Sequence, residues 1–228
     1  MSNEVREGNQ VFGTSQANQA GFQTVNVMKE EFGYEVPVDS VPLPSNGVIY
    51  SPESGMHNKE FVEIRAMTAK EEDILTSRSL IKKGVVITEL IKSCLIDKTI
   101  DVDHMISGDR NAIMTALRIT GYGSDYRVEV SCPSCSESSK QDFLLTDLPI
   151  KRLEIQPIAS GANLFEFELP VTKKKVHFKF LTGQDETEMS TIAERKKKQG
   201  QKTDSLVTSR LLYSIAAVDG KNDRNKIS

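Results

Sequence analysis

The chain lacks tryptophan and is poor in aromatic side chains of any kind, which make up 6% of its 228 residues. Its core must therefore be built mainly from Leu, Ile, Val and Met. No apolar run approaches the ~20 residues that a membrane-spanning helix needs. The N-terminus, MSNEVREGNQ, has no apolar segment of the kind found in secretory signals. Both absences predict a cytoplasmic protein without a membrane partner.

Cysteine is scarce, and neither sign of charge dominates. Three cysteines are too few for a disulfide framework in a chain of this length, which predicts a reduced protein. The 29 Lys and Arg against 32 Asp and Glu leave a formal net charge of -3. Basic runs at 173–175 and 195–198 could touch phosphates, but neither is interleaved with aromatic side chains. We therefore expect no nucleic-acid partner.

Motifs that carry catalysis are also absent. The sequence contains no phosphate-binding loop, dinucleotide fingerprint, nucleophile elbow or HExxH pattern. Its acidic clusters, at 71–73 and at Asp101 with Asp103, lie at predicted helix starts, where acids complement the helix dipole. We predict that the protein is not an enzyme and that it has no catalytic residue and no cofactor-binding residue.

The first two segments of the chain have no helical pattern. Residues 1–35 are rich in Gln, Asn, Gly and Ser, which predicts a flexible N-terminal arm that could become ordered on a partner. Residues 36–56 contain four prolines, which are incompatible with a regular helix. We expect this Pro-rich strap to be extended and to lie over the surface of the domain.

Residues 57–123 predict a strand followed by a three-helix unit. EFVEIRAM at 60–67 favours the strand. A capping box at Thr68 and Glu71 starts a helix that should run to about Lys82. The second helix has an apolar stripe with helical spacing, and the third runs from Ser107 to the glycines at 121 and 123. The stripe consists of Ile87, Leu90, Ile91, Cys94 and Leu95.

The remaining sequence predicts β-hairpins followed by helices, and we therefore predict an α+β fold for the whole chain. Residues 124–181 should form a β-hairpin region with a CxxC knuckle at one tip and a second hairpin from 163–169 and 175–181. Residues 182–228 should form C-terminal helices, the last with Val207, Leu211, Ile215 and Val218 on one face. The charged ending closes no element, so we expect the C-terminal part to be incomplete.

Cys132 and Cys135 are the candidate metal ligands. Two thiolates at a hairpin tip form half of a zinc ribbon, but a structural zinc site needs four ligands. Cys94 lies on the apolar stripe, and nothing pairs His177 with a second histidine. We therefore predict a half-site only, with zinc bound if further ligands come from a missing segment or from a partner.

Four stretches resemble the baseplate hub subunit family of T-even-type tailed phages, over about residues 43–220. They are LPSNGVIYSP, VEIRAMTAKEEDILTSRSLIKKG, GDRNAIMTALRITGYG and YRVEVSCPSC. In the second and third, polar residues stand among the apolar ones. We predict that six of them support the helical unit or its interface by pairing among themselves and with Arg65 and Asp73: Glu71, Glu72, Arg78, Asp109, Arg110 and Arg118. The alternative is ordinary surface pairs of little energetic weight.

The resemblance implies a non-enzymatic structural or assembly component of the baseplate hub, acting through protein–protein contacts. Its partners would be other hub or wedge proteins, and its place the virion tail baseplate, after assembly in the host cytoplasm. The family also implies a second cysteine pair nearer the C-terminus, which this chain lacks after Cys135. Two alternatives stay open: a tail assembly chaperone absent from the mature virion, and a zinc-ribbon nucleic-acid-binding adaptor.

Overall fold

A computed structural model describes residues 27–29, 35–198 and 206–221. The predicted N-terminal arm, residues 1–35, lies outside them except for 27–29 and 35. Six α-helices, one short 3₁₀-helix (Leu145–Asp147) and three separate antiparallel sheets occur in the described parts, which confirms the α+β class. None of these helices is long and apolar enough to cross a membrane.

The first sheet has the order β1-β2-β3, with β1 at Val27–Lys29, β2 at Glu35–Pro42 and β3 at Phe61–Arg65. β3 is the strand predicted from EFVEIRAM. Its Val62 and Ile64 are buried. The register places Val38 opposite Arg65 and Pro42 opposite Phe61. The first half of the strap is therefore the central strand of a sheet.

The second half of the strap is largely buried as well, with residues 51–53 exposed, so the prediction of a surface strap is wrong. Leu43, Ile49 and Met56 are at most 2% exposed and belong to the main core. Prolines exclude a helix here but do not exclude burial, because short turns pair the backbone groups locally. Gly47 has φ +71°, and a Cβ atom there would overlap the backbone amide of Lys59.

The predicted three-helix unit contains four helices: α1 (Ala69–Thr76), α2 (Arg78–Lys83), α3 (Val86–Cys94) and α4 (Ser107–Tyr122). The first predicted helix is broken at Ser77, which adopts an extended conformation. Thr76 and Ser77 are both weak helix formers, and the Thr76 hydroxyl bonds back to the Glu72 carbonyl oxygen. The apolar stripe on α3 is confirmed, since Leu90, Ile91, Cys94 and Leu95 are buried.

The main core lies between these helices and the first sheet. Ile113 and Leu117 of α4 pack in the same cluster as Ile91 of α3 and Ile64 of β3. Phe165, from much later in the chain, joins this cluster and is 1% exposed. The helices and the sheet therefore share one hydrophobic interior.

Two further sheets follow. β4 (Asp125–Ser131) and β5 (Ser138–Leu144) form the predicted hairpin, with both cysteines in its connecting turn. β6 (Phe165–Glu168) and β7 (Lys175–Phe178) form the second predicted hairpin, with shorter strands than expected. The helices α5 (Gly183–Lys198) and α6 (Leu206–Ser214) come next, and β8 (Ile215–Val218) completes the order β6-β7-β8.

The end of the described chain differs from the prediction. The last helix stops at Ser214, and the next four residues pair with β7, with Val218 opposite Val176. The prediction that Ile215 and Val218 lie on the last helix is therefore wrong, whereas the charged ending at 221–228 lies outside the described residues except for Lys221. Ile215–Val218 has apolar spacing that suits either conformation, and the free edge of β7 decides in favour of a strand.

Candidate interaction surface

The hairpin of β4 and β5 projects from the body of the protein, and we call it the ribbon (residues 125–144). Its seven residue pairs run from Asp125 opposite Leu144 to Ser131 opposite Ser138. Val128 is half-buried, and every other strand residue is exposed. A two-stranded hairpin without a packing layer is only marginally stable in water. The ribbon is therefore suited to gain order from a partner.

One face of the ribbon has apolar side chains along β4, and the partner strand adds two polar residues, Ser139 and Gln141, to the same face. Tyr126, Val128 and Val130 alternate along β4, so they point to the same side, and Phe143 lies directly opposite Tyr126. Tyr126 is 42% exposed, Val130 45% and Phe143 48%. These four residues form what we call the apolar face. Exposed apolar side chains gathered on one face are typical of protein–protein contacts.

The opposite face is charged. Arg127 forms an ion pair with Asp142, with 3.3 Å between Nε and Oδ1, and Glu129 lies opposite Lys140. Both pairs are cross-strand neighbours, and such pairs suit a face that stays in water. The ribbon is therefore amphipathic, although only two strands thick.

The base of the ribbon is held to α4 by Arg118. Its Nη1 donates to the carbonyl oxygen of Gly123 at 2.9 Å, and its Nη2 to that of Asp125 at 3.2 Å. The guanidinium also lies over the Tyr122 ring, 5.1 Å from its centroid. The Tyr122 hydroxyl in turn donates to the Glu72 carboxylate. Two of the predicted interaction residues, Arg118 and Glu72, thus support the place where the ribbon leaves the helices.

The tip of the ribbon is a tight turn that carries both cysteines. Cys132 N–H donates to the Glu137 carbonyl at 2.9 Å, and Ser136 N–H donates to the Cys132 carbonyl at 2.8 Å. The backbone N–H groups of Cys135 and Ser134 and the Cys135 thiol donate to the Cys132 sulfur, which lowers the pKa of Cys132. The turn therefore makes Cys132 easier to deprotonate than a free cysteine, and the deprotonated form is the one that binds metals.

The half-site stays a prediction, because only two ligands meet at the tip. In residues 27–29, 35–198 and 206–221, no group of three or more His, Cys, Asp or Glu side chains could hold a metal ion. Cys94 is in the core, and its burial raises the pKa of its thiol to about 11. His177 contacts Glu166 of the third sheet.

Glu71 is inside the protein, where it joins three segments of the chain. Its carboxylate accepts hydrogen bonds from Arg65 Nη2 at 2.6 Å and Nη1 at 3.1 Å, and from Ser93 Oγ at 2.5 Å. Thr68 completes the predicted capping box. Burial acts to raise the pKa of Glu71, but the bonds from Arg65, Ser93 and Thr68 outweigh it and hold the pKa well below its usual range. The pairing of Arg65 with Glu71 is as predicted.

Asp109 is also completely buried, but it does not pair with an arginine. It accepts hydrogen bonds from Ser45 Oγ and from the Tyr50 hydroxyl, both at 2.6 Å, and from Ser45 N–H at 3.0 Å. Tyr50 in turn accepts from Ile106 N–H at 3.1 Å. Burial raises the pKa of Asp109. Its role is to hold residues 45–50 against the start of α4.

Arg110 is buried against backbone and hydroxyl groups. Its Nη1 donates to the Val102 carbonyl and its Nη2 to Thr88 Oγ1, both at 3.0 Å. The guanidinium lies directly against Gly183, where a Cβ atom would overlap it. The predicted pairing of Arg110 with a carboxylate is wrong.

The remaining predicted residue, Arg78, is exposed at the start of α2. The predicted set therefore divides into an internal group, an exposed arginine and the pair at the ribbon base. The sequence analysis missed Tyr126, Val130 and Phe143 as a surface. The alternation along β4 predicted a strand. The polar residues SSKQ of β5 indicate that this strand is exposed, because a polar partner strand offers no apolar side chains that could cover it.

Residues 49–160, which include the ribbon and all of α1 to α4, match the family model described as T4 bacteriophage base plate protein. This region belongs to the T4-type phage baseplate family. The baseplate family places the chain in the virion tail baseplate as a structural component whose partners are other baseplate proteins. No curated protein and no solved structure matches the chain.

Proposed function

We propose that the protein is a non-enzymatic structural or assembly component of the baseplate hub, and that the ribbon is its docking arm. One observation carries the proposal. The baseplate-family region contains an amphipathic hairpin whose apolar face has no covering layer in the described chain. An exposed apolar face of this kind gains free energy when a neighbouring subunit covers it.

The buried polar residues support this role indirectly. Glu71, Asp109 and Arg110 hold the interior together, and Arg118 holds the ribbon to α4. The body fixes the base of the ribbon, whereas the exposed strands beyond it gain order when a partner covers the apolar face. The buried charged residues Glu71, Asp109 and Arg110 bind other groups of the protein interior, as expected for a protein that works through its surface.

The test is phage complementation with two matched double variants of the ribbon. Y126S/F143S removes the aromatic pair of the apolar face, and R127S/D142S removes the ion pair of the charged face. All four side chains are exposed, so both variants should fold, with changes in stability of about 0.5 kcal/mol for each substitution. Circular dichroism and thermal unfolding of the purified proteins check this point.

The proposal expects complete tails with R127S/D142S and at least a tenfold loss of infectious particles with Y126S/F143S, counted by plaque assay and electron microscopy. Normal assembly with Y126S/F143S would refute the docking role. Mass spectrometry of purified virions tests the rest: cross-links to hub proteins support the hub, cross-links only to wedge proteins contradict it, and absence from mature virions indicates the chaperone alternative.

A further inference from the structure

An open cleft of about 450 Å³ lies between α1 and α3, and the ribbon takes no part in it. Four of the seven side chains that line the cleft are cationic and one is acidic: Arg65, Lys70, Lys92 and Lys98, with Glu89. Its volume is within the range of ~300–1,000 Å³ that is typical of binding pockets. The helical unit therefore has a positively charged depression of a size that can hold a ligand.

Two of the four cations are neutralised from within the chain. The guanidinium of Arg65 is paired with the buried carboxylate of Glu71, with 2.6 Å between Nη2 and Oε1. The ammonium of Lys92 lies 2.8 Å from Asp103 Oδ2 and 3.5 Å from Glu89 Oε1. These carboxylates leave Arg65 and Lys92 little attraction for a further anion.

Lys70 and Lys98 have no carboxylate partner among the described residues. The Lys98 ammonium donates to the carbonyl oxygens of Lys92 at 2.8 Å and Ser93 at 2.9 Å, at the end of α3. An ammonium has three donors, so one N–H group of Lys98 is left for a ligand. Partial burial and the nearby charge of Arg65, with a smaller effect of Lys70, lower the pKa of Lys98. The arrangement gathers positive charge that an anion would stabilise.

The lining of the cleft favours a protein carboxylate over a nucleic-acid phosphate. No aromatic side chain is among the described residues that line it, so no base could stack there. The acidic Glu89 at its edge would repel a continuous phosphate backbone. The half-buried Ile74 adds an aliphatic wall, which suits the apolar part of a peptide.

We infer that the cleft binds an acidic segment of a neighbouring baseplate protein, with an Asp or Glu side chain paired with Lys70 and Lys98 and an aliphatic side chain against Ile74. The inference rests on the proposed function in taking the protein as one that works through contacts, and it adds a second contact surface to the ribbon. Complementary charge of this kind contributes mainly to specificity and to the rate of association.

Carbodiimide cross-linking tests the pairing directly, because this reagent joins a lysine amine to a carboxylate in contact with it and adds no spacer. Purified virions and extracts of infected cells are treated, and mass spectrometry identifies the joined residues. We expect Lys70 and Lys98 to be joined to Asp or Glu residues of a baseplate protein. K70R/K98R keeps both charges but removes both amines, so these cross-links should disappear while those of other lysines remain.

Phage complementation supplies the functional readout. K70E reverses one charge of the cleft and should reduce the number of infectious particles about tenfold. K151E makes the same change at an exposed lysine outside the cleft and should leave that number unchanged. Lys70 is exposed in the first turn of α1, where an acidic side chain suits the helix dipole, so K70E should fold; thermal unfolding checks this point. Lysine in place of the cross-linked partner carboxylate should restore assembly with K70E.

Three results would overturn the inference: no cross-link from Lys70 or Lys98 to a baseplate protein in either sample, native numbers of infectious particles with folded K70E, or a gel shift of a short DNA duplex that K70E abolishes. The last result would identify the cleft as a nucleic-acid site. The ribbon test is independent. Native assembly with K70E and failed assembly with Y126S/F143S would refute this inference and leave the docking role of the ribbon standing.

Discussion

Replacing Glu71 with alanine tests whether the buried carboxylate is the main polar support of the helical unit. The side chain of Glu71 is 0% exposed and that of Arg65 10%. The substitution removes two bonds from the Arg65 guanidinium, one from Ser93 Oγ and the capping bond at Thr68 N–H. It also removes the negative charge that a buried cation faces. Breaking a buried pair in this way costs about 3–5 kcal/mol.

That loss is a large part of the ~5–15 kcal/mol by which a folded domain is stable. With a urea dependence of about 2 kcal/mol per molar, the unfolding midpoint should fall by about 2 M. Circular dichroism at increasing urea measures it. D73A, two positions along the same helix and exposed, is the matched control and should change the free energy of unfolding by about 0.5 kcal/mol. A loss of 1 kcal/mol or less for E71A would show that the network is not a main support.

Two further outcomes follow from the interior. The pKa of Glu71 is depressed in the folded chain, so its charged form contributes stability above the unfolded pKa of about 4.5, and this contribution declines as pH falls toward the folded pKa. The difference in unfolding free energy between the native chain and E71Q should therefore be constant near neutral pH and shrink in urea titrations below about pH 4.5; a difference that grows there would contradict the assignment. G183A places a methyl group on the Arg110 guanidinium and should destabilise the chain by about 1–3 kcal/mol in thermal unfolding. G123A adds a methyl group where there is open space, so its effect measures the backbone strain of a positive φ without a steric overlap.

Sequence patterns predicted correctly those elements whose structure depends on residues that are close together in the chain. The stripe on α3, the capping box at Thr68 and the alternation in β3 and β4 all predicted the right element. They also predicted that Cys132 and Cys135 lie in a hairpin turn. Each of these patterns depends on the spacing of residues within one element, and that spacing determines which side chains share a face in the folded chain.

The failures come from contacts between distant segments. Nothing local says that residues 43–56 are buried, because Asp109 reaches them across 64 positions to Ser45. Nothing local says that Ile215–Val218 meets the edge of β7. The sequence predicts that Asp109 and Arg110 pair with opposite charges, because it does not show the neutral groups, up to 64 positions away, that bind them in the interior.

The stretch that carries the family signature is not a folding unit. An excised fragment 49–160 would lose β2, which is the central strand of the first sheet, together with Leu43 and the Ser45 groups that bind Asp109. At its other end it would lose Phe165, a fully buried member of the same interior. Expression trials of this chain should therefore keep at least residues 35–221, because trimming to the recognisable region would expose core side chains at both ends and yield aggregates.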